Sequence, residues 1–184
     1  MNLETNKFDQ IWDDLKSEFS STIKECSFDE DNKVYLIDLD LEKVVVCFDD
    51  VAKNWAKDEN KLDCETPKSM DCLYVKDKKL CLVEFKNKKH IKKREYLNGI
   101  KPKIHDTLSI LNYYYGFEKS DFAGIEVMIV HKEKEVSPKK ESHNRLSKIA
   151  DSSCPPSLEF LQKVYRIKIS KITSVEFLEN LQYL

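Results

Sequence analysis

Glycine and proline are scarce in this chain, and long apolar runs are absent. Only three glycines and five prolines occur in 184 residues, so no segment has the composition of a linker or a low-complexity tail. No run approaches the roughly 20 apolar residues of a membrane-spanning helix. The stretch 1–14 is acidic, where a secretory signal would be basic and then apolar. We therefore expect a single domain over 1–184, no membrane partner and a cytoplasmic location.

The six cysteines lack the spacing of metal ligands. None forms a CxxC pair, and the four histidines are scattered along the chain. Several cysteines lie inside predicted strands, where a free thiol behaves as a small apolar side chain. We expect reduced cysteines in the core and no structural zinc site.

The net charge of −2 conceals an uneven distribution. Residues 1–60 contain seven basic and sixteen acidic side chains, residues 61–103 contain thirteen and six, and residues 104–184 contain eleven of each. A local basic cluster can attract a polyanion such as nucleic acid. A solvated charged loop is the alternative interpretation.

Two short runs of alternating apolar residues flank Asp77-Lys78 and predict a β-hairpin. If these two residues form the turn, counting outward places Asp71 directly across from Glu84 on the neighbouring strand. Side-chain alternation then puts both carboxylates on one face of the pair. The two faces are otherwise mostly apolar, which is typical of strands in the middle of a covered sheet.

Two facing carboxylates repel each other and lose hydration beside an apolar sheet. Lys86 lies on the same face and offsets part of this cost, and a divalent cation held by both carboxylates would offset more. The alternative is a frayed hairpin end, at which Asp71 and Glu84 simply face water. A one-residue change in the turn would also shift the register and separate them.

The segments before the hairpin show two kinds of periodicity. Apolar residues at helical spacing predict a helix over 5–25, and β-branched runs predict strands over 34–41 and 44–48. Asp49 or Asp50 is predicted to cap the short helix that follows.

The segments after the hairpin alternate between helix and strand. Pro102 is predicted in the first turn of a helix that ends at Gly116, and a strand is predicted over 125–131. Lysines at the start of such a helix favour a phosphate partner. A polar surface excursion follows, with a short helix over 146–150.

The C-terminal segment is predicted to form a strand and then a helix. The strand over 164–170 has one basic face, which contains Arg166 and Lys168, and Ser174 is predicted to cap the last helix.

The order of Asp71, then Glu84 and Lys86 at the end of the next strand, resembles the PD-(D/E)xK nuclease superfamily, with Met70 in place of the proline. The resemblance covers about residues 49–131. It implies an α/β fold with a restriction-endonuclease-like central mixed β-sheet flanked by helices. The core would follow the order α-β-β-α-β, with N- and C-terminal additions.

The resemblance also implies a chemistry, in which Asp71, Glu84 and Lys86 are the catalytic residues. Asp71, Glu84 and the backbone carbonyl of Phe85 would bind Mg²⁺ or Mn²⁺, and Lys86 would orient or deprotonate the attacking water. Hard cations prefer such oxygen ligands, and a bound metal lowers the pKa of water and neutralises phosphate charge. Lys103 resembles an auxiliary position that holds phosphate in some members.

Nucleic-acid binding is expected from the basic residues after the hairpin, with DNA favoured over RNA. These residues are Lys88, Lys89, Lys92, Lys93, Arg94, Lys101 and Lys103. The family also often uses a further acidic residue from a helix before the hairpin. The candidates for this position are Glu18, Asp49, Asp50 and Glu59.

Three hypotheses for the function follow. The first is a metal-dependent nuclease that hydrolyses phosphodiester bonds, with defence against foreign DNA as a fitting role. The second is a non-catalytic binding protein on the same core, an immunity or regulatory partner, because the acidic residues 1–60 would repel nucleic acid and suit a basic protein. The third is a soluble α/β protein in which the motif is accidental. A homodimer or a protein partner also stays open.

Overall fold

A mixed six-stranded sheet with helices on both faces organises the chain. The computed structural model describes residues 6–39, 41, 43–58, 66–87, 94–132 and 154–182. Within these ranges, the helices are α1 (Lys7–Phe19), α2 (Ile23–Cys26), α3 (Phe48–Asp58), α4 (Arg94–Tyr115), α5 (Glu159–Tyr165) and α6 (Ser174–Gln182). The strands are β1 (Ser20–Thr22), β2 (Phe28–Asp29), β3 (Val34–Tyr35), β4 (Val44–Cys47), β5 (Cys72–Lys76), β6 (Lys79–Lys86), β7 (Ile125–His131) and β8 (Lys168–Thr173).

The sheet order is β1-β4-β5-β6-β7-β8, and β2 and β3 form a separate two-stranded sheet. Neighbouring strands from β1 to β6 are antiparallel, whereas β6, β7 and β8 are parallel. Parallel strands need a long crossover, and α4 provides it between β6 and β7. The α-β-β-α-β order predicted between residues 49 and 131 is therefore observed as α3-β5-β6-α4-β7.

The predicted hairpin and its register are confirmed. Lys76 pairs with Lys79 and Cys72 pairs with Val83, so Asp77 and Lys78 form a two-residue turn. Both turn residues have positive φ angles, 50° and 60°, as a type I′ turn requires. The next pair outward brings Asp71 opposite Glu84, and the Asp71 N–H donates to the Val83 carbonyl at 2.9 Å.

The hairpin is buried on both faces, as its sequence predicted. One face packs against α1, α3 and α4, and the other packs against α6. The first face contains Leu73, Leu80 and Leu82, with Val75 at its margin. The second face contains Cys72, Tyr74, Cys81, Val83 and Phe85.

The predicted helix over 5–25 is confirmed for most of its length but is interrupted at Ser20–Thr22. Helix α1 ends at Phe19, and Ser20–Thr22 form the edge strand β1, which pairs with β4. A new helix then begins, because the Thr22 hydroxyl accepts from the Glu25 N–H and the Glu25 carboxylate accepts from the Thr22 N–H. This capping box restarts the helix within the same apolar periodicity.

The strands before α3 are shorter than predicted. Of the predicted strand over 34–41, Val34–Tyr35 alone is a strand within the described positions, and it pairs with β2. The second predicted strand is observed as β4, but Phe48 already belongs to α3. Asp49 and Asp50 therefore lie in the first turn of α3 and not at its cap.

Helix α4 begins at Arg94, so the predicted start near Pro102 is wrong. Pro102 lies inside the helix, where it leaves the carbonyl of the exposed residue Asn98 without its usual donor. The predicted end is confirmed, since Gly116 has a φ of 57° and its N–H donates to the Asn112 carbonyl. Lys103 thus lies more than two turns into the helix and not at its N-terminus.

The C-terminal prediction is partly wrong. Residues 159–165 form α5, Arg166 adopts a left-handed conformation with φ of 59°, and β8 begins only at Lys168. The predicted basic strand face that joins Arg166 to Lys168 therefore does not form. Thr173 caps α6 in place of Ser174, because its hydroxyl accepts from the Glu176 N–H at 3.2 Å.

Two predictions for the rest of the chain have different outcomes. The strand over 125–131 is confirmed as β7, whereas the predicted helix over 146–150 lies outside the described residues.

The five described cysteines are free thiols, and Cys64 lies outside the described ranges. None of the helices in the described ranges has the length and apolar character needed to span a bilayer.

Replacing Lys78 by glycine should stabilise the protein. Left-handed backbone conformations cost non-glycine residues about 1–2 kcal/mol each, and Lys78 has a φ of 60°. After the greater entropy of glycine in the unfolded chain is subtracted, we expect Lys78→Gly to raise the free energy of unfolding by about 1 kcal/mol. Urea denaturation measures the change. Lys78→Ala is the matched control, because it removes the side chain and keeps the strain; an equal gain in both variants would contradict the explanation.

Candidate active site

The hairpin ends bring Asp71 and Glu84 together where β5 begins and β6 approaches its end. Glu84 belongs to β6 and pairs with Ile129 of the parallel strand β7. Asp71 immediately precedes β5, and its backbone carbonyl accepts from the Phe48 N–H at 3.1 Å. Since neighbours on both sides hold the two strands, the carboxylates are fixed by the sheet and not by a loop.

Glu84 is fully buried, with 0% of its side chain exposed. The ammonium of Lys103 lies 2.9 Å from Oε1 and 3.0 Å from Oε2, and the ammonium of Lys86 contacts Oε1. Although Oε1 is within ion-pair distance of both lysines, no well-oriented hydrogen bond reaches it among the described residues. Glu84 is therefore a buried carboxylate with two lysine ammonium groups against the same oxygen, Oε1.

Asp71 is held from two sides. Its Oδ2 accepts from the Phe85 N–H at 2.6 Å, and its Oδ1 lies 3.0 Å from the Lys103 ammonium. Burial, and then the negative charge of Glu84, raise the pKa of Asp71 well above its usual value. Lys103, the Phe85 N–H and Lys86 act in the opposite direction and do not cancel this effect. Two adjacent carboxylates with such different surroundings are typical of functional sites.

Lys103 reaches this pair from α4, which packs over the same face of the sheet. Burial alone would lower the pKa of its amine, but the carboxylates of Glu84 and Asp71 outweigh burial and raise it. Lys103 is thus a permanent cation between the two acids. The divalent cation expected between the two carboxylates stays a prediction; in the structure the Lys103 ammonium lies within 3.0 Å of both.

Asp49, in the first turn of α3, is the upstream acidic candidate that lies close to Asp71. Its Oδ1 accepts a hydrogen bond from the Ser69 hydroxyl. Desolvation raises the pKa of Asp49, the Ser69 hydrogen bond lowers it, and the charge of Asp71 raises it again. Asp49 and Asp71 also line the same cleft, so the two carboxylates face a common space.

The other three upstream candidates differ from Asp49 in their surroundings. Asp50 pairs with Lys53 at 3.0 Å on the exposed side of α3. Glu18 lines a separate cavity beside α4. Glu59 lies outside the described residues.

A polar cleft of about 330 Å³ opens beside the pair. Asp49, Asp71, Phe85 and Lys86 line it from the main sheet and α3. The opposite wall comes from α2 and the β2–β3 hairpin and includes Cys26, Phe28, Asp29 and Asp31. The cleft therefore contains four aspartates and gives solvent access to the site.

The predicted nucleic-acid-binding residues are only partly described. Lys88, Lys89, Lys92 and Lys93 lie outside the described ranges, and of Arg94 the backbone alone is described. Lys101 is partly exposed on α4. Lys103 faces the two carboxylates, so its ammonium is engaged by acids and not free for phosphate.

Three neighbouring carboxylates are of the type that binds a divalent cation. Asp49, Asp71 and Glu84 offer the hard carboxylate oxygens that Mg²⁺ and Mn²⁺ prefer. Against this, no group of three or more His, Cys, Asp or Glu side chains has metal-binding geometry within the described residues. The residue types therefore fit a divalent cation. In the structure, however, the Lys103 ammonium contacts two of these carboxylates, those of Asp71 and Glu84.

Sequence patterns placed Asp71, Glu84 and Lys86 together but missed three contacts. These are the contact of Lys103 with both acids, the hydrogen bond from Ser69 to Asp49, and the acidic wall of the cleft formed by Asp29 and Asp31. No local sequence pattern predicts the roles of Ser69 and Asp29. The partner of Ser69 is distant in sequence, and Asp29 meets the other cleft residues only in the folded protein. For Lys103, its position in helical phase with Ile100 and Ile104, both buried against the sheet, was an available signal.

Comparisons with known proteins leave the family open. No protein-family model, no curated protein and no solved structure matches this chain. The function must therefore be argued from the site alone.

Asp71→Asn should flatten the pH dependence of stability. Because the pKa of Asp71 is raised in the folded protein, the folded state binds more protons than the unfolded chain as the pH rises above its usual value of 3.8. The free energy of unfolding therefore falls as the pH rises through this window. Asparagine cannot ionise, so the fall should shrink to the part contributed by Asp49. Urea denaturation at a series of pH values measures the slope.

Asp50→Asn is the matched control for this experiment. The pKa of Asp50 is lowered, chiefly by its hydrogen bond with Lys53, so this residue contributes stability that is lost as the pH falls. Its removal should leave the neutral-side decline unchanged. An unchanged decline in Asp71→Asn would show that Asp71 does not ionise with a raised pKa.

Proposed function

We propose that the protein is a metal-dependent nuclease that hydrolyses phosphodiester bonds of nucleic acid. The supporting observation is the pair of adjacent carboxylates: Glu84 is fully buried beside Asp71, burial and the charge of Glu84 raise the pKa of Asp71, and Lys86 lies against Glu84 at the cleft. Two carboxylates held side by side in a buried position repel each other and are costly, and perturbed groups of this kind cluster at functional sites. A ligand role toward a cation accounts for that cost.

We further propose a restriction-endonuclease-like fold for the core over about 49–131. Three features support it: the antiparallel strands β4, β5 and β6, the α4 crossover, and the parallel strand β7 that follows. The motif residues Asp71, Glu84 and Lys86 lie at the end of the hairpin that borders the cleft, as the resemblance to the PD-(D/E)xK superfamily implies.

The chain's own residues have distinct tasks in this proposal. Asp71, Glu84 and the carbonyl of Phe85 would hold Mg²⁺ or Mn²⁺, and Asp49 would supply the further carboxylate. When bound at these residues, a divalent cation would lower the pKa of a water molecule and neutralise charge on the phosphate. Lys86, whose ammonium contacts Glu84 and which lines the cleft, would orient the attacking water.

Nucleic acid would approach through the open cleft, with the basic stretch after β6 binding the phosphates. The charge of residues 61–103, with thirteen basic and six acidic side chains, supports this assignment. We propose DNA as the substrate, a cytoplasmic location, and defence against foreign DNA as the role.

Metal-dependent cleavage tests the proposal directly. Purified protein incubated with plasmid, linear duplex, single-stranded DNA or RNA should cut at least one substrate with Mg²⁺ or Mn²⁺ and none with EDTA. Asp71→Ala, Glu84→Gln and Lys86→Ala should each reduce the rate by at least about 100-fold, as removal of a charge-stabilising group commonly does.

Asp50→Asn provides the control for this assay, because Asp50 pairs with Lys53 on the exposed side of α3 and should leave the rate unchanged. Circular dichroism establishes that each variant folds. Cleavage that survives in folded Asp71→Ala would exclude this site, and absence of cleavage on every substrate would count against the nuclease.

A second candidate function, a non-catalytic binding protein on the same core, is favoured by one observation. Lys103 lies within 3.0 Å of both Asp71 and Glu84 and, together with Lys86 beside Glu84, balances their charge. A lysine fixed at this point makes a metal unnecessary for stability. In that case the fold would be kept for an immunity or regulatory contact.

Mn²⁺ binding separates the two candidates without measuring activity. For the nuclease, calorimetry should detect Mn²⁺ binding to the wild type that is lost in Asp71→Asn. For the binding protein, the wild type should not bind, and Lys103→Met alone should bind, since removal of this ammonium leaves Lys86 alone to balance two carboxylates. The nuclease proposal would be abandoned if the folded wild type bound no Mn²⁺ and cut no substrate.

A further inference from the structure

A second cavity, separate from the cleft, lies between α1, α3 and the C-terminal end of α4. Its volume is about 220 Å³. It shares no lining residue with the cleft beside Asp71. An inference about this cavity therefore does not depend on the proposed nuclease activity.

The cavity combines an apolar floor with a negatively charged rim. Leu15 and Val51 are almost completely buried and form part of the lining. Asp14 and Glu18 are exposed and lie four residues apart on α1, so their side chains share one face of the helix. Neither carboxylate forms a salt bridge within the described ranges.

Two tyrosines at the end of α4 complete the cavity. Burial, and then the negative charge of Asp14, raise the pKa of Tyr115 to about 12. The Tyr115 hydroxyl is therefore close to the acidic rim. Tyr114 lines the same cavity and is 41% exposed. Next to it, the exposed ring of Tyr113 packs edge-on against Trp55, with ring centroids 6.1 Å apart.

These features select one kind of occupant. An apolar floor favours an aliphatic stem, paired carboxylates favour a cation at its tip, and tyrosine rings favour a planar cation that can stack. A phosphate backbone would be repelled by Asp14 and Glu18, and a purely apolar side chain would leave them unused. Exposed tyrosines beside the cavity are typical of protein–protein interfaces.

We propose that this cavity is an anchor pocket for an arginine side chain of a basic protein partner. The guanidinium would bind Asp14 and Glu18 and stack on Tyr114 or Tyr115, while its aliphatic stem packs on Leu15 and Val51. The sixteen acidic and seven basic side chains of residues 1–60 favour such a partner by long-range attraction. The exposed aromatic side chains around the pocket would contact the surface that carries the arginine.

The probe for this pocket is N-acetyl-arginine amide, titrated into the isotope-labelled full chain and followed by NMR. We expect shifts confined to amides around Leu15, Val51 and Tyr115, at concentrations up to about 20 mM, which suffice for a site of millimolar affinity. N-acetyl-citrulline amide has nearly the same shape without the charge. It should bind at least about tenfold more weakly, because charge-assisted hydrogen bonds are lost.

Variants assign the binding to the rim. The double change Asp14→Asn with Glu18→Gln should weaken arginine binding at least about tenfold, whereas Glu179→Gln, which removes an exposed carboxylate on α6, should not change it. Absence of shifts, equal binding of the citrulline derivative, or shifts centred on the β2–β3 hairpin would each overturn the proposal. Displacement of the arginine derivative by single-stranded DNA would also overturn it, since it would identify a nucleic-acid surface.

Discussion

A single buried anion, the carboxylate of Glu84, sets the constraint to which the surrounding elements conform. An ionised carboxylate removed from water is strongly destabilising unless positive charge lies against it. Helix α4 meets this requirement by directing Lys103 at the sheet, and β6 meets it again two residues later with Lys86. The packing of α4 over β6 is thus an electrostatic arrangement as well as an apolar one, and a shift of α4 along the sheet would separate the charges.

Sequence patterns correctly predicted those elements whose structure depends on residues close together in the chain. The two-residue turn at Asp77-Lys78, the burial of both hairpin faces and the strand Ile125–His131 all follow from alternation over a few residues. Because the register of a two-residue turn fixes every pair outward, the juxtaposition of Asp71 and Glu84 could also be predicted. The chemistry of the site was therefore partly available before any tertiary contact was known.

Other features depended on contacts that no local pattern encodes. The periodicity through residues 5–25 does not reveal that Thr22 and Glu25 close a capping box and leave Ser20–Thr22 to pair with β4. Pro102 is a common helix-start residue, yet α4 begins at Arg94 and tolerates the proline because the carbonyl that loses its donor belongs to an exposed residue. Asp49 was one of four equivalent candidates until the sheet placed it near Asp71.

The two connections that build the site differ in length, and this difference affects how the site assembles. The hairpin β5–β6 needs only a two-residue turn, so it can pair within microseconds and bring Asp71 and Glu84 face to face early. Lys103 reaches them only when α4 has crossed the sheet, and closing that longer segment is a slower, entropically costly event. In this order of events the two acids meet with Lys86 as their nearest cation, before Lys103 arrives. We expect docking of α4, and not hairpin formation, to be the step at which the centre of this molecule becomes electrostatically stable.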